Sequence, residues 1–237
     1  MKQMKFIVCA MAAMMLAGFS VNAADTASIS GKAAFEGAAP KMKKINMDAD
    51  PKCSEMHADA PQMTEDVVVN PNGTLKNVFI YVKSGLTGTY EAPKTPVTID
   101  QAGCHYVPHV FGMMAKQPLE IINSDDTLHN IHAMPAKSKE FNVGEPNKGM
   151  KTTRTFANPE VMVHFKCDVH PWMSAYVGVV DNPFYAVTSD DGTFSIKDLP
   201  KGKYVIEAWT EKCGTQTQTI EVGDGEAKTA DFTFKAP

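Results

Sequence analysis

Residues 165–177 read FKCDVHPWMSAYV and carry Cys167, His170 and Met173 within seven positions. A thiolate, an imidazole and a thioether at this spacing read as ligands on one tight loop. Together they suit copper, because an ion that moves between Cu(I) and Cu(II) accepts soft sulfur as well as nitrogen, and a weak axial Met tunes its potential. The donor still missing is a second histidine. Upstream, residues 123–134 read NSDDTLHNIHAM and offer His129 and His132. Zinc is a poorer match, since its sites rarely use Met and usually add a second Cys or a carboxylate. A thiol nucleophile activated by an imidazole is also conceivable for Cys167, but Met173 would then have no task. His105 and His109, in GCHYVPHVF, read as hydrogen-bonded surface or core histidines.

Donors so far apart in sequence need strands to bring them together. Residues 28–35 alternate with Ile29, Gly31, Ala33 and Phe35 on one side, and residues 75–83 form a stronger apolar run. Short strands are expected again at 97–100, 109–114, 119–123, 154–156, 161–167 and 175–180. Alternation through 161–167 puts Val161, Val163, Phe165 and Cys167 on one face, with His164 and Lys166 on the other, so Cys167 ends a buried face at the loop. Residues 135–149 are polar and read as a solvated loop. The Met-rich stretch 41–64, with Met42, Met47, Met56, Met63 and His57, reads as irregular packing filler rather than a second copper-collecting surface. Beyond residue 184 come strand, Asp-Gly turn, strand, Pro-x-Gly turn and strand, completed by 217–222 and 229–234. No helical period of comparable strength is present, and the fold class expected is all-β.

At 237 residues and 43% hydrophobic, the chain is long enough for two cores and is not disordered. Its start, with Lys2 and Lys5, an apolar run and Val21-Asn22-Ala23, reads as a signal peptide of residues 1–23, cut after Ala23 or Ala24. Export to the periplasm follows from that reading, with no membrane span after cleavage. Losing Lys2 and Lys5 and no acid makes the formal charge more negative than the −4 of the whole chain. With Arg154 the only arginine, nucleic acid is excluded as a partner. Four cysteines follow the leader, Cys53, Cys104, Cys167 and Cys213. If Cys167 binds metal, at most one disulfide forms among the other three. Cys53 with Cys104 is the pair expected, both lying in loop-like segments, while pairs through Cys213 stay open.

The stretch HFKCDVHPWM resembles the ligand loop of the cupredoxins, the small blue-copper proteins, with the two-residue spacings found in amicyanin. LHNIH at 128–132 resembles the cupredoxin segment in which a ligand histidine is followed directly by Asn. The likeness covers roughly residues 97–181. It implies one type 1 copper on His129, Cys167, His170 and Met173, with His132 outside the set. It also implies that the backbone N–H of Asn130 is the chief donor to the sulfur, while Pro171, lacking an N–H, withholds another. Lys166 and Asp168 flank the cysteine where a multicopper oxidase would need histidines. The implied role is single-electron transfer between redox proteins, a cytochrome or dehydrogenase, through the imidazole edge of His170, flanked by apolar Pro171 and Trp172 as a small docking patch. The chain is therefore read as a carrier and not an enzyme. The alternative is a copper-binding or copper-delivery module.

The stretch VTSDDGTFSIKDLPKGKYVIEAW resembles the second half of a carboxypeptidase regulatory-like domain, a small transthyretin-like β-sandwich. ISGKAAFEGAAP and LKNVFIYVKSG are similar to its opening half. The expected fold is a cupredoxin-like Greek-key β-sandwich plus this second sandwich. Its expected parts are an N-terminal β segment at 25–92, the copper domain at 97–181 and the regulatory-like sandwich at 184–237. Insertion of the copper domain is favoured over two domains in series.

Overall fold

The apolar run FIYV at the start of the strand Phe79–Ser84 is buried at all four positions, so this strand faces a core on each side. A computed structural model describes residues 26–236, and the signal peptide read at 1–23 lies outside them. One side of the strand, with Ile80 and Val82, joins a core containing Ile29, Ala33, Phe194, Ile196, Ile206 and Phe232. Two four-stranded sheets enclose that core. In the first, Ala27–Glu36 pairs antiparallel with Thr193–Leu199 and parallel with Ala227–Thr229 and Phe232–Lys235. In the second, Phe79–Ser84 lies between Tyr185–Val187 and Gly202–Thr210, and Gly214–Val222 closes the edge. Two early strands thus pair with strands beyond residue 184.

The strands between Ser84 and Tyr185 build another sandwich, of one five-stranded and one four-stranded sheet. Its core joins Ile99, Phe111, Leu119, Ile131, Phe165 and Val177 from both sheets. The longest antiparallel contact is between Glu160–Lys166 and Ser174–Val180, and His129–Met134 pairs with the first of these. Three expectations need correction. Residues 135–149 are not only loop, because Phe141–Glu145 pairs with His129–Met134. Phe141 and Val143 pack on the core and Glu145 is buried, a short alternation that the flanking lysines and prolines hide. The strand expected at 154–156 is Lys151–Arg154, and Phe156 instead fills the core just past its end. The stretch 41–64 holds a short helix, Pro51–Met56, with Asp50 as its N-cap.

The other side of Phe79–Ser84 packs against the second sandwich. Phe79 and Tyr81 cluster there with Val110 and Val180. Gly178 and Gly112 are register partners on adjacent strands, and together they make room for the Phe79 ring. A Cβ at Gly178 would lie 2.3 Å from carbons of that ring, and one at Gly112 would lie 2.7 Å from it. Beside this contact, buried His109 donates from Nε2 to Glu211 at 2.8 Å, and its Nδ1 lies 3.0 Å from the Ser174 carbonyl. His109 therefore joins the sandwiches rather than the cluster of donors.

Gly178→Ala is expected to cost about 1–3 kcal/mol, the usual range for overpacking, read as a lower midpoint in urea unfolding. A midpoint unchanged from the native protein would show that Phe79 swings aside freely. A second expectation concerns pH. Burial works to lower the His109 pKa, but the Glu211 carboxylate outweighs it, so the folded value lies above the ordinary 6.5. Stability from such a pair is present in full below the unfolded value and is lost as pH rises through the folded one. Glu211, held below its usual range by the same histidine despite burial, loses its share on the acid side. The Tm advantage of the native protein over His109→Gln should accordingly be larger near about pH 6 than near about pH 9. A gap that stays constant across that interval would refute the pair's charge.

Candidate metal centre

Cys167 follows directly on the strand Glu160–Lys166, and His129 opens the strand His129–Met134. Register pairs Lys166 with His132, which sets the two strand ends side by side. The loop between Cys167 and Met173 is closed by backbone bonds, Cys167 N to Met173 O at 3.3 Å and Met173 N to His170 O at 2.9 Å. Within this frame the Nδ1 atoms of His129 and His170 are 2.9 Å apart, and His170 Nδ1 is 4.0 Å from Cys167 Sγ. Potential ligand atoms of His129, Cys167 and His170 all lie within 4.8 Å of one another. Each of the three is at most 2% exposed, and Met173 is fully buried in the core that holds Cys167.

These spacings fit a metal ion. Bonds of about 2.0 Å to nitrogen and about 2.3 Å to sulfur, near tetrahedral angles, place two nitrogens about 3.3 Å apart and nitrogen and sulfur about 3.5 Å apart. The observed 2.9 and 4.0 Å lie within about half an ångström of those values, and the His129 nitrogen stays within 4.8 Å of the sulfur. Two imidazole nitrogens at 2.9 Å must share a hydrogen, since facing lone pairs repel. A metal would replace that proton. Burial works to raise the Cys167 pKa, but hydrogen bonds from His129 and from the backbone N–H groups of Asn130, His170 and Val169 outweigh it and lower the value. Loss of the thiol proton, which metal binding requires, is thereby eased. Burial works to lower the His129 pKa, but its bonds to Asp125 and Cys167 outweigh it and push the value up to about 9.

Both distal nitrogens meet carboxylates. His129 Nε2 lies 2.9 Å from Asp125 Oδ2, and His170 Nε2 lies 2.9 Å from Asp50 Oδ2. Sequence reasoning passed over both aspartates. Asp125 stands four residues before His129, and Asp50 precedes a Pro in helix-capping context, which marks it as a cap and gives no sign of His170. The His170 edge expected as the exit path is covered in this structure. Asp50 covers Nε2, and His170 is 2% exposed, while Trp172 packs at 5.0 Å and donates from Nε1 to the Cys104 carbonyl. Pro171 alone of that trio is exposed.

Asn130 does more than its backbone suggests. Its Oδ1 accepts from Asp168 N at 2.8 Å, Val169 N at 3.3 Å and the Cys167 thiol at 3.2 Å, pinning the loop to the neighbouring strand. The backbone N–H of His170 also points to the sulfur, at 3.3 Å. His132 lies apart, its Nδ1 3.1 Å from Asp168 and its Nε2 against Glu140. Cys53 and Cys104 form a disulfide, and among the described residues Cys167 and Cys213 are free. His105 Nδ1 and His57 Nε2 both face the Gly103 carbonyl, away from the donors. Of the Met-rich stretch, Met47 is buried against the disulfide while Met42 and Met56 are exposed.

The sequence matches no protein-family model and no curated protein. Solved structures similar to it include a copper-containing nitrite reductase from Thermus scotoductus, at 19% identity and TM-score 0.35, covering 42% of this chain and 26% of that one. The chain thus spans about a quarter of the reductase. A purple cupredoxin from Nitrosopumilus maritimus is similar at 23% identity and TM-score 0.30, over 35% of this chain and 97% of that one. A reduced amicyanin variant is similar at 20% identity and TM-score 0.32, over 42% and 97% respectively.

Asn130→Ala takes the shared acceptor from the Asp168 and Val169 N–H groups, two part-buried bonds worth about 0.5–1.5 kcal/mol each. A loss of about 1–3 kcal/mol is expected in thermal unfolding of the metal-free protein. If the melting curve does not move, water has taken over the role of Oδ1.

Proposed function

We propose that the chain is an exported copper protein that carries single electrons, with one type 1 ion held by His129, Cys167, His170 and Met173. The observation that carries this reading is the buried pair of imidazoles and thiol, brought from two strands to spacings a metal needs. Copper, when bound, supplies a one-electron couple. The residues supply a geometry that changes little between oxidation states. The loop is closed on itself by backbone bonds and pinned by Asn130, both histidines are held at their far nitrogens, and water is excluded from the donors. Thioether and thiolate favour Cu(I), imidazole serves either state, and no donor has to leave on reduction. The partners in this reading are redox proteins, a cytochrome or a dehydrogenase, met in the periplasm.

One observation favours the alternative, a module that holds or delivers copper. Electron exchange is fastest through an exposed ligand edge, and here the His170 edge is covered. Self-exchange rate separates the two readings: a carrier cycles quickly and reversibly, whereas a delivery protein keeps Cu(I) until an acceptor takes it.

Addition of Cu(II) to the purified protein is expected to give strong thiolate-to-copper absorption in the visible at one ion per chain. Cys167→Ala should abolish the band and His129→Ala should open the site, while His132→Ala leaves the spectrum nearly intact. A colourless protein that takes up zinc stoichiometrically sinks the reading.

A further inference from the structure

The far sides of the two histidines form one connected structure. Asp125 accepts from Gly103 N at 2.8 Å through Oδ1, and through Oδ2 from Cys104 N at 2.8 Å and His129 Nε2 at 2.9 Å. Asp50 accepts through Oδ1 from Lys52 N at 2.8 Å and Cys53 N at 3.3 Å, and through Oδ2 from His170 Nε2 at 2.9 Å and Thr127 Oγ1 at 3.2 Å. The two backbones that hold these carboxylates are those of Cys53 and Cys104, which the disulfide joins across a sequence separation of 51. Imidazole, carboxylate, cysteine backbone, disulfide, cysteine backbone, carboxylate and imidazole therefore follow one another in a closed sequence around the site. Cys53 Sγ itself lies 3.8 Å from His170 Nε2.

We propose that Asp50 is a positioning residue for the metal centre, and that the Cys53–Cys104 disulfide acts on the centre by fixing Asp50 opposite His170. The inference rests on the copper reading above and extends it to a segment some 120 residues upstream of the histidine it holds. His170 has two nitrogens and one proton to place when it serves as a ligand. A carboxylate at Nε2 takes the N–H there and leaves the Nδ1 lone pair facing His129 and Cys167. A negative charge at that distance also makes the imidazole a stronger donor, which favours Cu(II) over Cu(I). Asp125 does the same for His129 from the strand side. The two carboxylates differ in their support. Asp125 hangs from the turn leading into the ligand strand, whereas Asp50 is the N-cap of a six-residue helix that lies outside the sheets. That helix is tied to the sandwich by the disulfide, by Lys52 to the carbonyl of Asp126, and by His57 Nε2 against Gly103 O at 2.7 Å.

The test separates the cap from the clamp. Asp50→Asn keeps an oxygen able to cap the helix and removes the charge from His170, while Asp50→Ser keeps a cap too short to reach it. Titrations with Co(II) and Cu(II), voltammetry of the copper form, and 15N NMR of the metal-free histidines are compared with the native protein. In both variants metal affinity is expected to fall about tenfold or more, the usual effect of losing an outer partner of a ligand histidine. The reduction potential should rise with the thiolate band retained. In the metal-free protein His170 should lose its fixed Nε2–H form. Asp50→Glu should recover part of the affinity. The Cys53→Ser, Cys104→Ser double variant should shift potential the same way, and adding Asp50→Asn to it should change little further, because one route has been cut twice. Unchanged affinity, potential and tautomer in Asp50→Asn and Asp50→Ser overturn the proposal. So does full additivity of the disulfide and Asp50 changes. Failure of the native protein itself to bind Cu(II) or Co(II) would overturn the copper reading instead, and the NMR comparison would still judge the clamp.

Discussion

The strand Phe79–Ser84 has no solvent side along its first four residues, and the remainder of the architecture follows from that constraint. Period-two alternation sends Ile80 and Val82 into one core and Phe79 and Tyr81 against the other sandwich. A strand buried on both faces must be covered twice. The chain meets this by leaving after Ser84, building the second sandwich, and returning at Tyr185 to pair with Tyr81. Gly112 and Gly178 then serve as the floor on which the Phe79 ring rests. The candidate metal centre sits at the far end of strands whose near ends form that floor, since Ser174–Val180 contains Gly178 and begins one residue after Met173.

Much of the fold could be read from the sequence because hydrophobic alternation is local. Residues 119–123 and 175–180 show their strands plainly, and the all-β class follows from many such short runs with no competing helical period. What escaped reading was also local, though masked. Phe141–Glu145 has two apolar positions among lysines and a glycine, and only its pairing with His129–Met134 makes it a strand. The helix Pro51–Met56 has six residues, too few for a period to register, and its Asp50-Pro51 start is as much a turn signal as a cap.

In the candidate site the donor types were legible, since Cys, His and Met at short spacing have few other joint uses. Their surroundings were not. Asp50 lies 120 residues before His170, and nothing in either neighbourhood announces the other. The side chain of Asn130 was likewise invisible: its place beside a histidine expected to ligate drew notice to its backbone, whereas Oδ1 gathers three donors from the opposite loop. Residues that ligate are constrained in kind and can be recognised by kind. Residues that orient ligands need only an oxygen in the right place, and many residue types supply one.

The disulfide also has a direction in time. A chain that emerges N-terminus first presents Cys53 and then Cys104 before Cys167 and Cys213. The two sulfurs that belong together can meet while the thiol at the centre of the donor cluster is still unmade or unexposed. In an oxidising compartment that order of appearance would favour the Cys53–Cys104 pair over one with Cys167, which the finished fold buries.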